Sequence, residues 1–325
     1  MSGGKHVGAD PLTSLVADEL RAVEACLAER IESPVGRIPE VGGHLLDAGG
    51  KRLRPLIAVL ASRAADAPLD VAVAVGCAAE LIHTATLFHD DVVDEGSVRR
   101  GRPAARMAFG NGVAVLVGDF CLARGLGLIA ETGVHSVMRS FATAVTEMAE
   151  GEVAQLEAAG NPDAKLEDYY AVVDRKTAAL IAWCARVGGV LPEPINGALE
   201  RYGRGVGRAF QIADDLLDCT SDETVTGKSA GRDLQEGKIT LPVILASHDP
   251  RVRQALRERM DEHGMSAQAA AEILGLVRAA GGTERAHATA QALASQAIAE
   301  LKPLPASPYR DALTTLARLC VDRVT

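Results

Sequence analysis

Residues 81–94 read LIHTATLFHDDVVD, and residues 210–218 repeat the end of that stretch as FQIADDLLD. Both segments finish on Asp-Asp-apolar-apolar-Asp, at 90–94 and at 214–218; we call these the first and second pentads. Residues four apart share one face of a helix, so the outer carboxylates of each pentad are stacked. Stacked carboxylates repel unless a cation lies between them, and oxygen ligands suit Mg²⁺, which also binds substrate phosphates. The pentads therefore predict two helical metal-binding faces for a diphosphate.

The segments around the pentads predict an all-α fold. Apolar side chains recur at helical spacing, and the composition is 48% hydrophobic with only 3% aromatic residues, which favours closely packed helices. The long predicted helices cover residues 69–94, 113–130, 134–159, 166–187 and 198–218. Glycine-containing polar segments at 96–112 and 221–237 predict a basic loop and a mobile loop. We expect residues 1–10 to be disordered and residues 11–325 to form one domain.

Composition also argues against several classes of protein. A net charge of −9 argues against nucleic acid as a partner. Six cysteines with no CxxC spacing favour free thiols in a reducing cytoplasm over a zinc site or a disulfide framework. Residues 1–10 lack the apolar centre of a signal peptide, and we expect no integral membrane segment. Walker, GxGxxG and GxSxG patterns are missing, which leaves P-loop, dinucleotide and hydrolase functions without support.

Basic residues accompany the acidic pentads. Lys51, Arg52 and Arg54 follow a glycine pair, where the backbone can approach a phosphate closely. Further candidates are Arg99 and Arg100 after the first pentad, Lys176 in an otherwise apolar helix, and Lys228 and Lys238 in or beside the second polar segment. Each alone is more often a surface ion pair, but together they suit a diphosphate. His83 lies about two helical turns before Asp90 on roughly the same side. Alone it is more often a satisfied core histidine, but beside a bound diphosphate it could donate a hydrogen bond to that ligand.

At these residues the chain resembles the trans-isoprenyl diphosphate synthases (the polyprenyl synthetase family), in particular the long-chain octaprenyl and solanesyl type. The resemblance extends from about residue 10 to the C-terminus, and it rests on the segments 49–55 (GGKRLRP), 81–84 (LIHT), 89–94, 99–101 (RRG), 176–177, 210–218 and 237–242 (GKITLP). It implies an all-α fold of about ten or more helices around a central cavity, and a homodimer. It also implies about three Mg²⁺ ions, for which Mn²⁺ is expected to substitute.

The resemblance also implies roles for individual residues. The implied metal ligands are Asp90, Asp94, Asp214 and Asp218, with Asp91 and Asp215 in support. The implied contacts to isopentenyl diphosphate are Lys51, Arg54, His83 and Arg100. The implied contacts to the allylic diphosphate are Arg99, Lys176, Thr177, Gln211, Lys228 and Lys238, and Lys176 counts among the catalytic residues. One departure is Phe88 before His89, where the family more often has Leu; we expect it to face away from the carboxylates.

The implied reaction is successive trans head-to-tail addition of isopentenyl diphosphate to an allylic diphosphate such as farnesyl or geranylgeranyl diphosphate. Ala85 and Thr86 lie about one turn (~5.4 Å) before Asp90. Small side chains there leave a cavity open below the pentad, which predicts a C30–C50 product centred on about C40. Ala85 could equally be a tight contact between helices. The product would be handed to a membrane by an enzyme that is not itself embedded in one.

Four other interpretations stay open. A degenerate, inactive subunit of a heteromeric synthase would tend to lose pentad aspartates, and none is missing here. A short-chain synthase that makes farnesyl or geranylgeranyl diphosphate would need a larger residue at Ala85. A terpene cyclase or head-to-head condensing enzyme would not need the cluster at Lys51 to Arg54, which suits a second diphosphate. A helical divalent-metal-binding regulatory subunit would bind metal whether or not diphosphate is present. It would leave the basic residues beside the pentads without a purpose.

Overall fold

The structure is a computed structural model, and it describes residues 11–46, 52–99, 101–220, 230–261 and 264–322. The helices before the first pentad are α1 (Pro11–Ser14), α2 (Ala17–Arg30), α3 (Arg37–Leu46), α4 (Leu53–Ala65) and α5 (Leu69–Val93). A two-residue hairpin, β1 (Val98–Arg99) and β2 (Arg102–Pro103), then leads to α6 (Ala105–Phe109), α7 (Asn111–Glu131) and α8 (His135–Ala158). The fold is all-α, as predicted.

The second half of the chain continues as helices. A π-helical turn at Asp174–Ala178 joins α9 (Leu166–Val173) to α10 (Ala179–Ala185), and a 3₁₀ turn follows at Val187–Gly189. The remaining helices are α11 (Ile195–Thr220), α12 (Arg232–Gln235), α13 (Leu241–Ala246), α14 (Pro250–Arg259), α15 (Ala267–Ala279), α16 (Gly282–Glu300) and α17 (Pro308–Leu319). The five long helices predicted from periodicity are all present, the fourth with the π turn inside it.

Contacts between Cα atoms separate the chain into two compact units. One consists of Met1–Phe141, Cys184–Asn196 and Leu304–Leu313, and it contains the first pentad. The other consists of Ala142–Trp183, Gly197–Pro303 and Thr314–Thr325, and it contains the second pentad. The expectation that residues 11–325 form one domain stays a prediction.

Helix α5 is the central helix of the first unit because it is apolar on every side. It packs against α2, α4 and α7, and Cys77, Leu81 and Phe88 along it are fully buried. Its contact with α7 is close because glycines on α7 leave room for α5. A Cβ at Gly125 would lie 3.6 Å from the Ala78 carbonyl oxygen, and one at Gly118 would lie 2.5 Å from His89 Nε2. The start of the first pentad is therefore fixed against α7.

Two loop predictions were partly wrong. The segment 96–112 contains the β1–β2 hairpin and α6, since a hairpin of two residues per strand is too short to show alternation of polar and apolar residues. The segment 221–237 contains α12, a single helical turn whose backbone binds Asp218, a long-range contact that periodicity does not reveal. Residues 221–229 lie outside the described residues, as do 1–10.

The described residues include two long apolar helices, although we expected no integral membrane segment from the sequence. Helices α5 and α7 have the length and composition of candidate spans. In α5, 78% of the apolar window is buried inside the protein, which is the environment of a core helix; in α7 the share is 39%. Close packing of an all-helical core selects the same apolar side chains as a lipid environment does.

Candidate functional site

The first pentad lies at the C-terminal end of α5. Asp90 is in the last turn, and the Asp94 N–H donates to the Asp90 carbonyl oxygen at 2.8 Å just beyond the helix end. Both side chains are partly exposed, whereas Asp91 between them is fully buried. A neighbouring residue on a helix is rotated by about 100°, so Asp91 points into the protein when Asp90 faces outward.

Arg99 on β1 fixes Asp91. Arg99 Nε and Nη2 donate to Asp91 Oδ1 at 2.8 and 2.7 Å, and the Gly96 N–H donates to the Asp91 carbonyl oxygen at 2.9 Å. Arg99, predicted to contact the allylic diphosphate, is thus paired with the pentad itself. Asp91 Oδ2 is buried and has no hydrogen-bond partner within the described chain. A buried carboxylate oxygen without a partner could accept a further cation or hydrogen-bond donor.

The two arginines of the GKRLRP segment, Arg52 and Arg54, have different environments. Arg52 has a left-handed backbone (φ 46°) and donates to Glu24 at 2.6 Å and to the buried Glu80 at 3.0 Å, so it anchors the start of α4. Arg54 lies in the first turn of α4, and its Nε is buried with no hydrogen-bond partner among the described residues. His83 is half-buried on α5. Of the two arginines, Arg54 is the better candidate for a diphosphate contact, and that role stays a prediction.

The second pentad, on α11, has its middle carboxylate fixed in the same way but by other groups. Asp215 is 4% exposed and accepts from Tyr169 OH at 2.6 Å and from Gln211 Nε2 at 2.8 Å. Thr177 Oγ1 donates to Gln211 Oε1 at 2.8 Å, so the chain of hydrogen bonds begins on the π turn. Burial raises the pKa of Asp215 to about 7, and the bonds from Tyr169 and Gln211 oppose that rise.

Asp218, the last residue of the second pentad, accepts from the backbone of α12. The N–H groups of Arg232 and Asp233 donate to its two carboxylate oxygens at 3.1 and 3.2 Å. Asp233 was not predicted from the sequence, yet burial and the charges of Asp215 and Asp218 raise its pKa well above the ordinary value. The sequence signal that could have pointed to Asp233 is its place in the segment GRDLQEGK, five residues before the predicted Lys238. In the structure, the Lys238 N–H donates to the Asp233 carbonyl oxygen at 2.7 Å.

Lys176 and Thr177 lie on the π turn between α9 and α10. π turns are frequent at functional sites, and here the turn places both residues beside α8 and α11. Lys176 Nζ lies 2.5 Å from Glu152 Oε2 on α8. The predicted contacts Lys176, Thr177 and Gln211 are thus brought together with Asp215 in the second unit. Lys238 is close to Glu236, with Nζ 2.8 Å from its Oε2.

The predicted residues Lys51, Arg100 and Lys228 lie outside the described residues. Ala85 is 3% exposed and packs with Phe88, Val117 and Cys121, while Thr86 is half-buried and donates to the His83 carbonyl oxygen at 2.9 Å. The chain-length position therefore lies where α5 packs against α7.

The donors of both pentads fit a hard divalent cation, because each offers carboxylate oxygens and no sulfur or imidazole. The partly exposed outer residues are the ones that could hold it: Asp90, Asp94, Asp214 and Asp218. In the described part of the chain, no three or more His, Cys, Asp or Glu side chains are already gathered as a metal cage.

Comparison with known proteins gives the class of protein. Residues 36–277 match the model of the polyprenyl synthetase family, and the chain belongs to that family. Octaprenyl diphosphate synthase of Escherichia coli K12 is 41% identical over 97% of this chain and 98% of its own length. All-trans-nonaprenyl-diphosphate synthase (geranyl-diphosphate specific) of Rhodobacter capsulatus is 38% identical over 95% of this chain and 96% of its own.

The fold agrees with that of solved members of the class. A crystal structure of polyprenyl synthase from Caulobacter crescentus CB15, complexed with calcium and isoprenyl diphosphate, superposes with a TM-score of 0.92. It is 36% identical to this chain and covers 99% of this chain and 100% of its own. The divalent ion in that complex agrees with a metal-dependent family.

Proposed function

We propose that this protein is a trans-polyprenyl diphosphate synthase, a prenyltransferase that adds isopentenyl diphosphate repeatedly to an allylic diphosphate. The observation that carries the proposal is the shared design of the pentads. In each one, protein side chains hold the middle aspartate inside the fold, whereas the outer aspartates are partly exposed. A general acidic helix face would leave all three aspartates solvated.

The proposed metal is Mg²⁺, about three ions, which Asp90, Asp94, Asp214 and Asp218 would hold together with the diphosphate. When bound, it supplies positive charge that stabilises the diphosphate as the allylic C–O bond ionises. The chain's own cations share that task. The residues proposed to contact the allylic diphosphate are the cations Arg99, Lys176, Lys228 and Lys238 and the neutral Thr177 and Gln211. Those proposed to contact isopentenyl diphosphate are Lys51, Arg54, His83 and Arg100.

After ionisation, the main task of the protein is to exclude water from the carbocation. The double bond of isopentenyl diphosphate attacks the allylic cation, and the proton lost from the adduct passes to the departing diphosphate, our candidate base. Exclusion of water by the closed site would prevent capture of the cation as an alcohol. The product length is proposed as C30–C50, with about C40 as the central value, because Ala85 offers no bulky side chain below the first pentad.

The proposed assembly is a homodimer in the cytoplasm. Helix α7 supports it, because this apolar helix presents Leu116 at 68% and Leu126 at 47% exposure on its outer side. Exposed large apolar side chains grouped on one helix are typical of a protein interface. A second copy of the chain would cover them.

The test is mass spectrometry of the products formed from isopentenyl diphosphate with farnesyl or geranyl diphosphate and Mg²⁺. A ladder that ends in one dominant C30–C50 species is expected, and a chelator should abolish it. Products that stop at C15 or C20 would assign the chain to the short-chain branch. Metal binding without any elongation would favour the regulatory subunit, and release of a hydrocarbon would favour a cyclase.

A further inference from the structure

The ammonium group of Lys176 is held by a carboxylate from another helix. Lys176 Nζ lies 2.5 Å from Glu152 Oε2, and both side chains are largely withdrawn from solvent, at 25% and 21% exposure. The ion pair between the preceding residue, Arg175, and Glu150 is a useful contrast. Arg175 Nε and Glu150 Oε2 are 3.8 Å apart, and their side chains are 43% and 60% exposed. Of the two pairs, only Lys176–Glu152 is sheltered enough for a strong electrostatic interaction.

The contact depends on an unusually close approach between α8 and the π turn. A Cβ added to Gly151 would lie 2.6 Å from the Lys176 backbone nitrogen and 2.7 Å from Arg175 Cβ. Any side chain at position 151 would therefore push the turn away. Because residue 151 is glycine, α8 lies directly against the turn, and the next residue, Glu152, comes within reach of Lys176.

The rest of the turn is fixed as well. Thr177 is joined through Gln211 to Asp215 of the second pentad, so its backbone position relative to α11 is set by hydrogen bonds. Lys176 has a long flexible side chain, and it would lose that freedom on binding a ligand. A partner that already holds the ammonium group removes part of this cost, and one ammonium group keeps donors for a diphosphate as well.

We propose that Glu152 is a positioning residue: with Gly151, it holds Lys176 in the orientation that binds the allylic diphosphate. This inference rests on the proposed function, in which Lys176 contacts that diphosphate. Glu152 Oε1, the second carboxylate oxygen, is buried with no hydrogen-bond partner in the described chain, so the charge of Glu152 is left to Lys176 to balance. Glu152 acts through Lys176 and touches no reacting atom.

The experiment is a double-mutant cycle on the full chain, with steady-state kinetics for both substrates. The variants are Glu152→Gln, Lys176→Ala and the double variant, with Glu150→Gln as the matched control on the same helix. We expect Glu152→Gln to raise KM for farnesyl diphosphate about 5- to 10-fold and KM for isopentenyl diphosphate less than about 2-fold. We expect the double variant to match Lys176→Ala within about 2-fold, because Glu152 then has nothing left to position.

Each other outcome overturns the proposal. Unchanged kinetics in Glu152→Gln would show that Lys176 needs no positioning. Independent, multiplying effects in the double variant would show that Glu152 acts elsewhere, and equal loss for both substrates would show a general structural role. Failure of the parent chain to elongate any allylic diphosphate would instead overturn the proposed function. The melting temperatures of all variants separate loss of folding from these effects, and Glu150→Gln should behave as the parent.

Discussion

Asp91 and Asp215 occupy the same place in their pentads, and different side chains withdraw them from solvent. Arg99 neutralises Asp91 with a guanidinium, whereas Asp215 receives hydrogen bonds from Tyr169 and Gln211. A cation favours the charged carboxylate more strongly than neutral donors do. Burial raises the pKa of Asp215.

Asp215→Asn should flatten the pH dependence of stability in the metal-free protein. A carboxyl whose folded pKa is raised, here to about 7, stabilises the fold fully below its unfolded pKa and loses that effect as pH rises to 7. The melting temperature of the parent chain, measured in chelator, should fall from pH 4 to 7 more steeply than that of the variant. Asp249→Asn is the control, because the pKa of Asp249 is lowered to about 2, outside this range. Parallel curves for parent and Asp215→Asn would contradict the assignment.

Ala85→Phe should shorten the product. The new ring would enter the packed contact between α5 and α7, one turn below Asp90, where the growing chain is proposed to extend, and would block that extension. Because Ala85 is already buried, overpacking should also cost about 1–3 kcal/mol of stability. Product mass spectrometry and thermal unfolding measure the two effects, and Ala28→Phe on the exposed side of α2 is the control. An unchanged product distribution would show that Ala85 is a contact between helices and nothing more.

At the scale of elements, the contact between α5 and α7 couples packing to the first pentad. His89 Nε2 lies 3.2 Å from Asp119 Oδ1 and 3.3 Å from the Val115 carbonyl oxygen, so α7 holds the residue that precedes Asp90. Gly118 makes room for that ring, whereas Gly127 on the same helix has no heavy atom within 4 Å of an added Cβ.

These two glycines make a matched pair. Gly118→Ala should displace His89, lower the free energy of unfolding by about 1–3 kcal/mol and reduce kcat. Gly127→Ala should raise stability by up to about 1 kcal/mol through helix propensity and leave kcat unchanged. Chemical denaturation and steady-state kinetics measure both. Equal effects of the two substitutions would mean that the ring of His89 simply turns aside.

At the scale of the whole molecule, α7 is an apolar helix that is only partly buried. Its apolar window is only 39% buried, against 78% for α5, and Leu116 alone is 68% exposed. Side chains of that kind are expected to find a partner, and for this chain we propose a second copy.

Leu116→Glu should therefore shift the protein from dimer to monomer. Charges placed opposite each other in an apolar interface are costly to bury, and the two-fold axis of a dimer doubles the effect. Size-exclusion chromatography with light scattering should give twice the chain mass of 33.9 kDa for the parent and a single mass for the variant. Val35→Glu, at a residue 58% exposed outside α7, should stay dimeric. A parent that is already monomeric would refute the proposed assembly.

The sequence by itself determined the helices and the chemistry of the pentads. Apolar spacing and length fix a helix locally, so α5 begins at Leu69 as predicted and ends within one residue of the predicted Asp94. The spacing of four within each pentad likewise sets which carboxylates share a face. The roles of Lys51, Arg54, Lys176 and the other basic residues came from their motifs and from family resemblance, and they stay predictions.

Tertiary structure decided which partners hold these residues in place. Four contacts join residues that are not neighbours in the sequence: Arg99 with Asp91, Tyr169 with Asp215, the α12 backbone with Asp218, and Glu152 with Lys176. Periodicity carries no information about such contacts, because it reports only neighbours on one element. The π turn and Asp233 went unpredicted for the same reason: what marks them is packing against other helices.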